Sequence, residues 1–255
     1  MRQTLLPALL ITSAAILSAQ QAAAPNALSA AERQAGWKLL FNGTSLAGWK
    51  AYDPAADPAK SWSVVDGTLK NAKNNGRPNS GGGDIVTTEL FTDFDFRFEW
   101  KISRGGNGGV KYLVLERLGA PGTPMYQGDD GRSAIGHEYQ VLDDDNHADA
   151  RVGPHRHAGA FYDVMAPSVA AKKLKPVGEF NESRILVRGT HVEHWLNGAE
   201  VVEYELESPE LKSAIAKSKF RNVGTFDKRA PTRILLQDHG DEVWFRNLKI
   251  LAPLK

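Results

Sequence analysis

The stretch Phe94-Asp95-Phe96-Arg97-Phe98-Glu99-Trp100-Lys101-Ile102 settles the class of fold. Successive side chains of a strand point to opposite faces, so this alternation gathers Phe94, Phe96, Phe98, Trp100 and Ile102 on one side and Asp95, Arg97, Glu99 and Lys101 on the other. Working outward, Ser63 to Asn71 reads as strand, Asp66-Gly67 turn, strand. Arg184 to Leu206 holds further strands, broken at Gly189-Thr190 and at Asn197-Gly198, dipeptides that suit tight hairpin turns. Strands joined so closely pair antiparallel. A helix is expected where Ser208 stands as N-cap, Pro209 takes the first helical position, and Leu211 and Ile215 lie four apart. Many short strands with one short peripheral helix make an all-β fold, a single antiparallel β-sandwich.

Residues 1–24 have a different character. Arg2 precedes an apolar stretch from Leu5 to Leu17, and small residues come next at Ser18, Ala19 and Ala22 to Ala24, the layout of a secretory signal peptide. That stretch is shorter than the roughly 20 residues a membrane span needs. The mature chain is therefore expected to be free of the membrane, periplasmic or secreted, and monomeric. Beyond the leader, roughly 230 residues remain, which suits one domain. Cysteine is absent from the sequence, which leaves no disulfide framework despite the export. With 31 basic and 30 acidic side chains the formal net charge is +1, so no bulk field draws nucleic acid to the protein. The loops Asp53 to Lys60, Asn74 to Gly83 and Leu118 to Arg132, rich in Gly, Pro, Asn and Asp, are candidate rims of a site.

Three segments carry polar residues where a half-buried strand usually places aliphatic ones: GHEYQVLDDD from Gly136, HVEHWLNGAEVVEY from His191 and ILLQDHGDEVWFRNLKI from Ile234. In the first, Glu138 and Gln140 share one face and Tyr139 and Val141 the other. A carboxylate and an amide in mid-strand are costly to bury unpaired, so Glu138 either makes an internal ion pair, with Lys111 or Arg188, or faces a wet site. In the third, Leu235, Gln237 and His239 share a face opposite Leu236 and Asp238. In the second, Trp195 shares its face with His191 and Glu193, and is either core or a platform for a ligand. Gly105-Gly106-Asn107-Gly108-Gly109 leads into a strand, not a helix, which disfavours a phosphate cradle and favours a tight turn delivering Asn107 and Lys111 to the polar face. Asp143, Asp144, Asp145, Asn146 and Asp149 form an acidic cluster without the EF-hand spacing. A solvated loop is expected, with a divalent cation near Asp143 and Asp145 as the other reading. His155 and His157 lack a third ligand, and no transition metal or other cofactor is expected.

Across nearly the whole mature chain, from Gly36-Trp37-Lys38-Leu39-Leu40-Phe41-Asn42-Gly43 to Val243-Trp244-Phe245-Arg246-Asn247, the sequence resembles the 3-keto-disaccharide hydrolase family. The most specific pieces are Glu138-Tyr139-Gln140-Val141-Leu142-Asp143, Gly159-Ala160-Phe161-Tyr162-Asp163, His194-Trp195-Leu196-Asn197-Gly198 and Gln237-Asp238-His239-Gly240. The resemblance implies a concanavalin A-like or laminin-G-like jelly roll over residues 36–252. It also implies cleavage of glycosides whose C3 hydroxyl has been oxidised to a ketone, with a hydrolase or a lyase outcome. Such chemistry needs a base for the C2 proton, an enolate stabiliser and an acid for the leaving oxygen. Glu138, Lys111 or a bound cation, and His239 are the candidates in that order. Asn107, Gln140, Tyr162, Trp195 and Gln237 are the candidate substrate-binding residues. The competing readings are a non-catalytic carbohydrate-binding module and a conventional glycoside hydrolase.

Overall fold

The computed structural model describes residues 24–74, 82–115 and 134–254. Apart from Ala24 the expected leader lies outside the described residues, as does the loop from Leu118 to Arg132; of the loop Asn74 to Gly83 only the ends are described. In chain order the described strands are β1 (Lys38–Leu39), β2 (Trp49–Ala51), β3 (Trp62–Val65), β4 (Thr68–Asn71), β5 (Ile85–Thr87), β6 (Phe94–Ile102), β7 (Asn107–Tyr112), β8 (His137–Leu142), β9 (Asn181–Arg188), β10 (His191–Leu196), β11 (Ala199–Glu205), β12 (Leu235–Leu236) and β13 (Val243–Leu251). They form two antiparallel sheets. One runs β11-β10-β9-β6-β13-β4-β3 with β1 also on β13, and the other runs β2-β5-β12-β7-β8.

The period-2 stretch is β6, central in the larger sheet between β9 and β13. Phe94, Phe96, Phe98, Trp100 and Ile102 are all buried, and each such side chain taken from water stabilises the fold by about 1.5–3 kcal/mol. On the opposite face Asp95 is also buried, which the alternation does not foretell. Its carboxylate is paired with Arg184 at 2.9 Å and Arg97 at 3.1 Å, which offsets its desolvation. The turn residues act as read: Asp66 and Gly67 have φ of 49° and 69°, and Asn197 and Gly198 have 48° and 82°, the left-handed pairs that let two-residue hairpins match strand twist.

The helix at Pro209–Ala216 is capped by Ser208 Oγ accepting from Leu211 N at 3.1 Å. Sequence reading missed a second, six-residue helix at Ala30–Ala35, although the capping box between Ser29 and Glu32 marks its start.

The sheets meet through aromatic contacts, among them Phe98 edge-on to Tyr139 at 5.4 Å between ring centroids. A buried polar network crosses the same layer. Tyr112 Oη lies 2.6 Å from His194 Nε2 and 2.7 Å from Tyr204 Oη, and Tyr204 Oη lies 2.6 Å from His137 Nδ1. Burial pushes the His137 pKa down to about 4 and that of His194 down to about 3, so both rings are held neutral. Tyr112, Tyr139 and Val141 point into this interior. The opposite face of β7 and β8 is thereby turned away from the larger sheet.

Candidate active site

On that outward face the antiparallel register of β7 and β8 sets Lys111 across from Glu138, Gly109 across from Gln140 and Asn107 across from Leu142. Residues directly opposite in such a pair share a face. Lys111 Nζ lies 3.5 Å from Glu138 Oε2 and donates to Ala134 O at 3.0 Å. Of the two readings of Glu138, the internal ion pair with Lys111 is present, and the pair itself lines a cavity. Gln140, with its amide turned to suit its neighbours, donates to Glu138 Oε1 at 3.1 Å and to Gly108 O at 3.2 Å. Asn107 stands next, its side-chain amide 3.2 Å from His239 Nε2. A string of polar groups therefore runs His239, Asn107, Gln140, Glu138, Lys111 across one sheet surface.

The glycines have a sharper purpose than a turn. Gly105, with φ of 68°, makes the turn, closed by Gly106 N donating to Ser103 O, and the strand already begins at Asn107. Gly109 sits inside β7 and leaves the space that the Glu138 carboxylate occupies. A Cβ there would come 2.4 Å from Glu138 Oε1.

Asn107, Lys111, Glu138, Gln140 and His239 line a cavity of about 190 Å³ together with Tyr162, Lys219, Phe220, Gln237 and Asp238. The segment Gly159 to Tyr162 runs beside β8, with Tyr162 N donating to Glu138 O at 3.0 Å. Tyr162 Oη donates to Asp149 Oδ2 at 2.9 Å, and Arg156 joins Asp149 (2.5 Å) to Asp163 (2.7 Å), fixing that wall from behind. Burial, with Glu138 and Asp149 close by, raises the Tyr162 hydroxyl far above its ordinary pKa, so it stays a neutral donor.

Beneath Lys111 lies Asp84, whose Oδ1 accepts from Asp238 N at 2.8 Å. Burial pushes Asp84 up to about 6 against the opposing pull of Lys111. The Oδ2 atoms of Asp84 and Asp238 are buried without a hydrogen-bond partner among the described residues, and so are Gln237 Oε1 and His239 Nδ1.

Asn107, Lys111, Glu138, Gln140, Tyr162, Gln237 and His239 are thus brought to one cavity. Strict alternation from Leu235 to His239 does not hold. The strand ends at Leu236, so Gln237, Asp238 and His239 leave it as irregular chain and all three face the cavity. Trp195 stands elsewhere, on the solvent face of the larger sheet, with Arg184 over its ring at 5.4 Å and its indole N–H on Glu193 at 2.5 Å. Its strand neighbours Val192, His194 and Leu196 hold the core face, which settles its side of the sheet.

The acidic loop is tied up internally. Asp143 accepts from Gly105 N (2.7 Å), Asn146 Nδ2 (2.8 Å) and Asp145 N (3.2 Å), and Asp144 pairs with Lys172. Among the described residues no group of three or more His, Asp or Glu is placed to hold a metal ion. Sequence reading missed Lys219, Asp238 and Asp84. Lys219 comes after the helix Pro209–Ala216 in irregular chain, where no periodicity signals a facing.

The chain matches the 3-keto-alpha-glucoside-1,2-lyase-like domain over residues 36–251. It belongs to that family. A relative from Bacteroides thetaiotaomicron named 3-keto-disaccharide hydrolase is 35% identical over 234 residues, covering 84% of this chain and 78% of the relative. A crystal structure from Parabacteroides distasonis, a glycosyl hydrolase by provisional name, is 29% identical, covers 91% of this chain and all of its own, and superposes with a TM-score of 0.74. A second protein from that organism, similarly named, superposes with a TM-score of 0.57 at 24% identity and supports the fold. Family membership places the chain among carbohydrate-active enzymes that cleave glycosidic bonds.

Proposed function

We propose that the protein cleaves 3-keto-glycosides by removing the C2 proton and eliminating the C1 substituent, with hydration of the product completing a net hydrolysis. The supporting observation is the meeting of Glu138, two lysines and His239 in one cavity whose lining also includes the amides of Asn107, Gln140 and Gln237 and the Tyr162 hydroxyl. A C3 ketone acidifies the neighbouring C2 proton, and Glu138 is the base that takes it. The electron pair left at C2 moves onto the C3 oxygen, where a positive charge stabilises it. Lys111 and Lys219 are the two cations available. As the enolate collapses, the C1–O bond breaks and His239, held by Asn107 at 3.2 Å, gives a proton to the leaving oxygen. Water then adds at C1 and a proton returns to C2. Asn107, Gln140, Gln237 and Tyr162 hold the sugar hydroxyls.

The leader of residues 1–24 carries the chain out of the cytoplasm, and the exported protein acts as a monomer on small glycosides. Turnover of a 3-keto-glucoside beside its unoxidised counterpart tests the reading. Release of the second sugar from the oxidised compound alone supports it. Binding of the unoxidised sugar with no release from either would favour a carbohydrate-binding module. Equal release from both would favour conventional glycoside hydrolysis.

A further inference from the structure

Two ammonium groups face the cavity, and they are in different circumstances. Lys111 is committed: it pairs with Glu138 at 3.5 Å and donates to the Ala134 carbonyl at 3.0 Å. Lys219 is not. Its backbone N–H is anchored to Asp163 Oδ2 at 2.7 Å, which fixes where the side chain starts. Its Nζ lies over the Tyr162 ring at 4.3 Å and the Phe220 ring at 5.0 Å. Among the described residues no carboxylate oxygen comes within 4.0 Å of that ammonium, and no hydrogen bond holds it.

A cation sequestered without a counter-charge is costly, and two ring faces recover only part of the cost, about 0.5–2 kcal/mol each. Burial accordingly lowers the Lys219 pKa, with Glu138 pulling the other way. What the rings do accomplish is positional. They hold an ammonium in the cavity with its N–H donors uncommitted, near enough to feel the charge of Glu138.

We infer that Lys219 is a further catalytic residue, the group whose ammonium receives the C3 oxygen as the ketone becomes an enolate. The inference rests on the 3-keto reading of the cavity. Glu138 takes the proton from C2, the C2–H electron pair forms the C2–C3 double bond, and the carbonyl π pair moves to oxygen, where a Lys219 N–H donates. No proton need be transferred from the lysine, so its charge is unchanged when the C1–O bond breaks and the ketone re-forms. A donor aimed at charge that develops only in the transition state acts on kcat more than on ground-state binding. Tyr162 and Phe220 are then positioning residues for this ammonium.

The test uses the full chain with Lys219→Met, which keeps the aliphatic length against the two rings and removes the charge, beside Lys219→Arg, which restores a cation. The probes are a 3-keto-glucoside for turnover, 3-keto-glucose for exchange of its C2 hydrogen with deuterated water, and the unoxidised glucoside for binding. For Lys219→Met the expected result is a fall of about 10²- to 10³-fold in kcat and in the enzyme-catalysed exchange, with binding of the unoxidised glucoside within about two-fold of wild type. Lys219→Arg should recover part of both rates. Unchanged exchange in Lys219→Met, or an equal loss of binding for oxidised and unoxidised ligands, would overturn the assignment. If Lys219→Met fails to fold, a Lys219→Gln variant with wild-type binding and undiminished exchange would overturn it as well. Wild-type protein inert toward the oxidised glucoside would instead bring down the functional reading, and this role with it.

Discussion

Gly109 and Glu138 occupy each other's space: a Cβ on Gly109 would stand 2.4 Å from Glu138 Oε1 and 2.9 Å from its Cδ, so the strand beside the proposed base is bare because the carboxylate lies across it. The Glu138 carboxylate is further held by Lys111 at 3.5 Å and by the Gln140 amide at 3.1 Å. Three neighbours on two strands therefore fix one side chain.

Gly109→Ala is expected to leave the fold intact and to displace the carboxylate. The clash is with the end of a flexible side chain, so the chain yields there and the backbone does not. Misplacement of a reacting group by about 1 Å costs on the order of 10²-fold in rate. The expected outcome is such a fall in kcat with a melting temperature within a few degrees of wild type, read by turnover and thermal denaturation. Undiminished kcat would mean that the position of Glu138 does not matter.

Glu138→Gln preserves shape and hydrogen-bonding reach but cannot accept the C2 proton. Loss of a positioned general base costs about 10²- to 10⁴-fold. The expected signature is that loss in kcat with substrate affinity changed far less, measured by steady-state kinetics and by ligand binding. Wild-type turnover would remove Glu138 from the base role.

Trp195→Ala should be close to silent in catalysis. The ring lies on the solvent face of the larger sheet, where its loss removes a cation–π contact with Arg184 worth about 0.5–1 kcal/mol. The expectation is kcat/KM within about two-fold of wild type, and a ten-fold rise in KM would show that the ring touches substrate after all.

Stability should fall on acidification, with a definite sign for each group. His137 and His194 have folded pKa values of about 4 and about 3, below the roughly 6.5 of an exposed imidazole. Between about pH 4 and 6 the unfolded chain therefore holds two protons that the folded chain does not. Asp84, pushed up to about 6, works in the opposite sense, with one proton on the folded chain that the unfolded chain lacks. These groups leave a net of one proton on the unfolded side, so stability drops by about 1.4 kcal/mol per pH unit as pH falls through this window. Asp84→Asn removes the opposing contribution and should steepen the slope to about 2.7 kcal/mol per unit, read from denaturant titrations at several pH values. An unchanged slope in that variant would contradict the protonation assigned to Asp84.

Much of the fold was legible because it rests on local rules. The alternation of Phe94 to Ile102 marks a strand whatever its neighbours, and Asn197-Gly198 marks a hairpin through backbone sterics alone. The candidate site was legible where a polar residue interrupted such a pattern, as Glu138, Gln140, Gln237 and His239 do, where the glycine-rich turn led to Asn107 and Lys111, and, for Tyr162, through the family resemblance.

Alternation tells which side chains share a face, not which face meets the core, and so Trp195 stayed ambiguous until its partners on the larger sheet were seen. The pairing of Lys111 with Glu138 depends on the register of β7 against β8, which no local pattern encodes. Asp84 and Lys219 lie at element ends and in irregular chain, where only the tertiary fold decides what a side chain faces.

The most direct test of the central claim is the fate of the C2 hydrogen when a 3-keto-glucoside is cleaved in deuterated water, with free 3-keto-glucose run alongside to establish that unassisted exchange is slow over the same interval. Proton abstraction by Glu138 predicts deuterium at C2 of the released 3-keto-sugar and inertness of the C3-hydroxyl glucoside. Product without deuterium at C2, or comparable turnover of the unoxidised glucoside, would contradict it.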